Sequence, residues 1–509
     1  MKKLLLLILV LAWNTGAATH AAASASQANV QTAIDLCSSG DTVTVPAGTG
    51  TWGTVDGNGE VLINNKSIVL KGAGIDVTTV TVTQSVGYME GLRLEGSTQN
   101  SEITGFTFNI TAGAASIAVI HGSTWRIHGN KFTSAAFNVG IMIHASADLT
   151  HPYGLIDNNT FTNCRVYAST FGNQDQGFAS YLTNLNLGTA EAVYIENNQF
   201  VFTVYGNAID GNYGGKWVFR NNKVTDVYCE AHSVSIDNAR ASRKWEYYND
   251  TLVQSSRTMD DPPFLIRGGT GAIFNNVVTG TWPFGYIGID NYRSYTDVGG
   301  CTHKCDGTAL YDGNVAGQSG YPCRDQIGRS KDASSWTCGN QGPHQDSVPA
   351  YQWNNILNGA QFKFHVNAGS NCPACSIQIV KNRDFFDSVP MPTYYAYTYP
   401  HPLRGLPPSM ATTSISPTSG KVAAKDTLNG SGFQTSQGNG YVHLVSAGGV
   451  HTNCSIISWS NSKVAYTIPS ISNATYKAFV INNDMQVDSS QTFSVSSASS
   501  KKCTITIVR

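Results

Sequence analysis

Eight short segments in the middle of this chain end alike, in an aliphatic residue, then usually a charged or imidazole side chain, then usually Gly, Ala or Asn. They are Leu94-Glu95-Gly96, Ile120-His121-Gly122, Ile143-His144-Ala145, Leu187-Gly188-Thr189, Ile209-Asp210-Gly211, Ile236-Asp237-Asn238, Ile266-Arg267-Gly268 and Ile289-Asp290-Asn291. Their first positions are separated by steps of 26, 23, 44, 22, 27, 30 and 23 residues. Apart from the one long step this is a near-constant period, which a chain shows when it coils back repeatedly to the same place. The sequence therefore predicts a solenoid.

A second ladder supports the same period. Strand-like runs enter Asn at Trp125–Asn130, Leu155–Asn159, Val193–Asn198, Trp217–Asn222, Trp245–Asp250 and Ala272–Asn276. Asn tolerates the left-handed backbone region and can hydrogen-bond within its own turn, so Asn at one corner of every coil predicts a stacked Asn ladder. Charged residues make up only 13% of the chain while Gly numbers 50, a composition that suits turns and strands better than helices. The fold class expected is all-β.

Together these ladders resemble the right-handed parallel β-helix of the pectin-lyase-like superfamily, over roughly residues 26 to 400. Gln27 to Ser38 carries apolar residues at helical spacing and precedes a first strand near Gly40–Pro46. It reads as the capping helix such a solenoid needs to cover its open end. The long step across Cys164 to Asn184 reads as a loop projecting beside the ladder. From Thr412 the chain turns to short Ser-, Thr-, Val- and Gly-rich strands; Ile415–Gly420 and Leu428–Phe433 resemble an IPT/TIG domain, an immunoglobulin-like β-sandwich. The expected division is 1–23 leader, 24–400 β-helix with a Cys-rich insertion at 294–350, 401–411 linker, 412–496 sandwich and 497–509 tail.

Lys2-Lys3, the apolar run Leu4–Ala12 and Ala21-Ala22-Ala23 read as a secretory signal peptide. The chain is thus expected outside a bacterial cell, free or attached to its surface, as a monomer with no later membrane span. With 32 basic and 33 acidic residues it has no global field to hold nucleic acid. In an exported chain of 11 cysteines, Cys301, Cys305, Cys323 and Cys338, and the closely spaced Cys372 and Cys375, are disulfide candidates rather than zinc ligands.

Alternation along the strands sends Asp210, Asp237, Arg267 and Asp290 outward, and stacked coils about 4.8 Å apart would set them in one exposed line, continued by His121 and His144. In the superfamily that the chain resembles, this face bears the polysaccharide groove. The resemblance implies a lyase acting on an acidic polysaccharide, with Arg267 and Lys244 as catalytic cations and Asp210 and Asp237 beside them. Its alternative is a glycoside hydrolase using Asp210 and Asp237. Arg240, Arg243, His232 and Tyr292 join His121, His144 and Asp290 as candidate substrate contacts. Ca²⁺ at Asp210 and Asp237 is the one cofactor weighed. The Asn-Thr-Asp signature of polygalacturonases is absent, and only Phe264–Asn276 is similar to the Arg strand of chondroitinase-B-like and alginate lyases. A third reading is noncatalytic, with the solenoid as an adhesin stalk; steps of 22 to 44 residues fit walls around a groove better than a uniform stalk.

Overall fold

The computed structural model describes residues 17–53, 59–83, 90–96, 100–111, 115–119, 122–144, 152–169, 177–233, 240–255, 260–290, 325–332, 345–367, 379–405, 411–438, 440–447, 451–482 and 487–496. The chain is a right-handed parallel β-helix followed by a small β-sandwich. It divides into two compact units, one of residues 1–152, 156–167 and 198–208, the other of 153–155, 168–197 and 209–509.

In the first unit each coil contributes strands to parallel sheets. One sheet stacks Thr19–Ala21, Thr42–Val45, Val69–Gly72, Glu102–Thr104 and Trp125–His128. Another stacks Gly48–Trp52, Thr78–Val82, Thr107–Ile110 and Lys131–Ile143. The expected cap is present: helix Gln27–Asp35, N-capped by Ser26, buries Val30, Ala33 and Ile34 over the coil end. Thr19–Ala21, read from sequence as the end of the leader, is the first strand of its sheet, paired in register with Thr42–Thr44.

In the second unit one sheet stacks Val193–Glu196, Lys216–Arg220, Lys244–Tyr248, Thr270–Phe274, Ala350–Trp353 and Phe385–Asp387. A second holds Lys223–Thr225, Thr251–Gln254, Val277–Gly280 and Ile356–Leu357. A third holds Cys229–Ala231, Phe264–Ile266, Ile287–Ile289 and Phe364–Val366. The connection expected as a loop contains strand Thr160–Ala168 and helix Phe178–Leu182, and Leu187-Gly188-Thr189 lies in no strand.

The Asn corners form the ladder that the sequence predicts. Asn158, Asn197, Asn221, Asn249, Asn275 and Asn354 hold φ between 54° and 58°, left-handed backbone that Asn adopts at low cost. The residue after each is buried and bonds along the coil axis. In the first unit Asn159 Oδ1 accepts from Asn130 N at 3.0 Å, and in the second Asn276 Oδ1 accepts from Asp250 N at 2.9 Å. The amide nitrogens reach back to a neighbouring coil's carbonyl, Asn276 Nδ2 to Tyr247 O at 3.1 Å and Asn222 Nδ2 to Ile195 O at 3.0 Å. Aromatic rings stack beside the ladder, Phe132 on Phe161 at 4.8 Å in the first unit and Phe274 on Trp353 at 4.3 Å in the second.

Pro390 to Pro408, rich in Pro and Tyr, reads in the sequence as a linker, but its residues 390–405 are packed down on the second unit. Arg220, fully buried, donates to Tyr397 O at 2.7 Å and Thr398 O at 2.9 Å, and Tyr394 OH donates to Glu246. Main-chain carbonyls of an extended, proline-rich segment have no strand partner, so a buried guanidinium satisfies them. Residues 411–496 form two antiparallel sheets over a core of Leu428, Phe433, Val442, Leu444, Tyr466 and Phe493. Tyr395 packs on Phe479 of this sandwich, ring centroids 5.4 Å apart. Among the described residues no helix is long and apolar enough to cross a membrane.

One rung of the ladder is anomalous. Asp250 stands where the other rungs have Asn; its Oδ1 accepts from Asn222 N at 2.7 Å, while Oδ2 has no hydrogen-bond partner among the described residues. Burial pushes its acid well above the usual carboxylate range against the bonds from Asn222. An acid whose folded-state pKa is raised stabilises the fold fully only below its unfolded value near 3.9 and loses that contribution as pH rises. Asp250→Asn should therefore stabilise the protein at neutral pH by about 1–3 kcal/mol, with a gain that shrinks toward pH 4. Urea midpoints of the two proteins at both pH values check this; a lower neutral midpoint for the variant would sink it.

Candidate functional site

The register of the third sheet in the second unit fixes which side chains meet. Cys229, Phe264, Ile287 and Phe364 occupy one level, Glu230, Leu265, Gly288 and His365 the next, and Ala231, Ile266, Ile289 and Val366 the third. The first and third levels point to the core and the middle one outward, as strand parity requires. His232 N donates to Gly211 O at 3.0 Å, which lays Ile209–Asp210 along the open edge of the sheet beside Cys229–Ala231.

On this face four ionisable groups from three coils converge. His232 Nδ1 lies 3.3 Å from Asp210 Oδ1 and 3.2 Å from Glu230 Oε1. Arg267 donates to the same Glu230 oxygen at 2.6 Å, and Tyr228 OH donates to Glu230 Oε2 at 3.1 Å. The carboxylates are nearly closed off, each 4% exposed, while His232 keeps 24% and Arg267 13%. Asp290 follows in register with Arg267 one coil on, its N donating to Ile266 O at 2.9 Å.

Each group sets the protonation of its neighbours. Burial alone would favour the neutral form of Glu230, but His232 and Arg267 outweigh it and hold the carboxyl well below the usual range. Burial likewise disfavours charge on His232, yet Asp210 and Glu230 raise the imidazole to about 9, so it is a cation at neutral pH. Arg267 is held charged against burial by Glu230, Asp210 and Asp290. Asp290 moves the other way, pushed up by burial and by Glu230 against the pull of Arg267.

This arrangement corrects the exposed line expected from the triplets. Asp210 does face outward, but it is buried, accepts from Gly211 N at 2.7 Å and pairs with His232, with Glu230 nearby. Asp237 lies outside the described residues, as do His121, Tyr292 and all six disulfide candidates. Among the described cysteines, Cys37, Cys164, Cys229 and Cys454 are free and buried. In the first unit Val119 stacks in register with Leu94 and Ile143. His144 is half-buried against Met142 of its own strand end.

Three expected groove cations are inside the protein. Lys244 belongs to a different sheet and is fully buried beneath the 184–191 connection, donating to Asn186 O at 2.6 Å with Glu246 at 3.3 Å. Arg240 is fully buried between Asp325 at 2.7 Å and Asp332 at 2.6 Å, with the Tyr181 ring centre 3.8 Å from its guanidinium. Arg243 is buried against Thr183, and burial pushes it down to about 10. In each case a segment outside the strand pattern, the helix at 178–182, the 184–191 connection or the insertion's Asp325 and Asp332, covers a position that alternation alone leaves exposed.

Glu230 is the residue that the triplet reading missed. The signal was present in Tyr228-Cys229-Glu230-Ala231-His232, where polar residues alternate with small inward ones. Asp210, Glu230 and His232 bring one ligand atom each within 4.8 Å of one another. That donor set, one imidazole and two carboxylates with a guanidinium already on one of them, does not fit Ca²⁺, which takes roughly six to eight oxygens.

No protein-family model and no curated protein matches the chain. Among solved structures, catalytic domains of GH87 α-1,3-glucanases in complex with tetrasaccharides align over 74% of this chain and 68% of theirs. One is 11% identical with a TM-score of 0.30 and another 14% identical with a TM-score of 0.29. A γ-cyclodextrin glucanotransferase (Gamma-CGTASE) from alkalophilic Bacillus clarkii aligns over 17% of this chain and 12% of its own, at 20% identity and a TM-score of 0.15. Likenesses at this level fix neither reaction nor substrate.

The folded state holds the His232 proton more tightly than the unfolded chain does, so its ion pairs contribute fully below the free value of 6.5 and fade as pH rises through about 9. Thermal midpoints of the wild type and His232→Asn should accordingly differ most below pH 6.5 and converge above pH 9. A gap that widens with rising pH would contradict this charge assignment.

Proposed function

We propose that this protein is a secreted carbohydrate-active enzyme that hydrolyses a polysaccharide laid along the outward face of strands Cys229–Ala231, Phe264–Ile266 and Ile287–Ile289. The observation that carries the reading is a pair of carboxyls on one face whose surroundings push them apart. Glu230 is kept ionised by His232 and Arg267, whereas burial keeps Asp290 toward its protonated form. Opposed environments of this kind assign a base and an acid to two chemically equivalent groups. Asp290 is the proton donor to the glycosidic oxygen and Glu230 the carboxylate that activates water.

Glu230 and Asp290 stand two coil steps and two strand positions apart, about 12 Å at the backbone, with Arg267 acting on both from the coil between. Asp210 positions His232, and the imidazolium and Arg267 together hold Glu230 in place. The lyase alternative loses one of its cations, because Lys244 is buried in another sheet, and its other, Arg267, is tied to Glu230. The leader-like N-terminal sequence supports an extracellular polysaccharide as the substrate.

The test incubates the protein with polygalacturonate, alginate, xylan and neutral glucans, following new reducing ends and the ultraviolet absorbance of unsaturated uronates. Reducing ends without absorbance are expected, and Asp290→Asn or Glu230→Gln should lower that rate about 10²- to 10⁴-fold. Rising absorbance would transfer the protein to the lyases, and neither signal on any glycan would leave the noncatalytic reading standing.

A further inference from the structure

Beyond the ionisable cluster the outward level of the same sheet changes character, from charged to apolar and aromatic. Glu230 is followed in register by Leu265, Gly288 and His365 on successive coils. Leu265 is half-buried, and Pro262 and Leu265 lie over Gly288 so closely that a Cβ there would meet them at 2.8 and 3.2 Å. His365 is exposed, and the Tyr286 ring, two residues before Gly288 and on the same side of the strand, stands 4.4 Å from it at 34°. Phe284 continues the row, 5.4 Å from Tyr286 and 38% exposed. Asn367, half-buried in register with Asp290, brings its amide nitrogen over Gly288, 3.4 Å from where a Cβ there would stand.

We propose that Tyr286, His365 and Phe284 form a distal binding subsite for a pyranose ring of the same glycan chain; this rests on the hydrolase reading above for the placement of the cleavage point. Solvent-facing rings in a soluble protein are costly unless something covers them, and here they continue the level that carries Glu230. A pyranose presents an apolar C–H face to such rings and hydroxyls at its edge, which matches an aromatic floor with Asn367 alongside. The spacing also suits a glycan. Glu230 and His365 are three coil steps apart, about 14 Å. A chain running along the coil axis therefore spans the distance with a few sugar units, and the apolar step at Leu265 and Pro262 passes under the units between.

The subsite predicts a dependence on chain length. The probes are two-unit and six-unit oligosaccharides of polygalacturonate, xylan and neutral glucan, and binding is read by calorimetry on the Asp290→Asn protein so that cleavage does not intervene. Adding Tyr286→Ala, or Phe284→Ala in a second protein, should reduce the six-unit to two-unit affinity ratio about tenfold, as expected for loss of one ring stack. An unchanged ratio in both variants, or no binding of any six-unit probe, overturns the subsite. The two proposals fail separately: length-dependent binding lost in the Tyr286 variant without cleavage by the wild type would leave the subsite and remove the hydrolase, and cleavage with an unchanged ratio would do the reverse.

Discussion

Every coil of this protein turns a corner whose main-chain groups cannot reach water, and the rest of the structure depends on how those groups are satisfied. In the described coils from Asn158 to Asn354 the answer is a left-handed Asn followed by a buried Asn, or Asp at 250, whose oxygen takes an amide from the preceding coil, while the buried Asn nitrogens reach a carbonyl of that coil. A buried donor left alone costs about 1–3 kcal/mol, so the register of one coil on the next is set at this corner before any core side chain is chosen. Side chains outside the ladder then inherit a fixed spacing, which is why Glu230, Leu265, Gly288 and His365 form a straight outward level. The site is a by-product of the ladder's regularity.

That dependence explains what could be read from the sequence. The Asn corners have a chemical reason to recur and were legible at every coil from Asn130 to Asn276, and with them the solenoid, its cap and its approximate length. The outward positions have no such reason, and the aliphatic triplets that marked them were an imperfect guide. In the coil carrying Glu230 the inward residues are Cys229 and Ala231, because the rings of Trp217, Trp245 and Tyr247 fill the core opposite them; Tyr247 lies 5.4 Å from Phe264 and donates to Glu230 O at 2.8 Å. A reader looking for Ile passes over Cys229 to Ile236. Volume complementarity across a core, which a single strand's pattern does not contain, displaced the expected site by one segment.

Burial was illegible for a related reason. Parity says which way a side chain points and nothing of what lies above it. Lys244, Arg240 and Arg243 were each read as open cations; helix 178–182, the 184–191 connection and the acids of the insertion lie over them, and all three are fully buried. The same holds for the Pro- and Tyr-rich segment, which looks like a spacer until Arg220 is seen to hold two of its carbonyls.

The buried ion clusters differ in how far their cations reach solvent. Arg220 with Glu196 and Arg240 with Asp325 and Asp332 are closed on every side, the cations at 0% exposure and stacked on tyrosine rings. Removing one partner from such a cluster strands a charge away from water, and their geometry leaves no edge for a ligand, so they fasten segments together. The cluster of Asp210, Glu230, His232 and Arg267 holds two acids and two cations, and His232 and Arg267 keep 24% and 13% exposure. An edge left open on an otherwise dehydrated charge cluster is what a site needs to receive a polar ligand and still act on it strongly, and here it opens onto the level that leads to the aromatic rings of Tyr286 and His365.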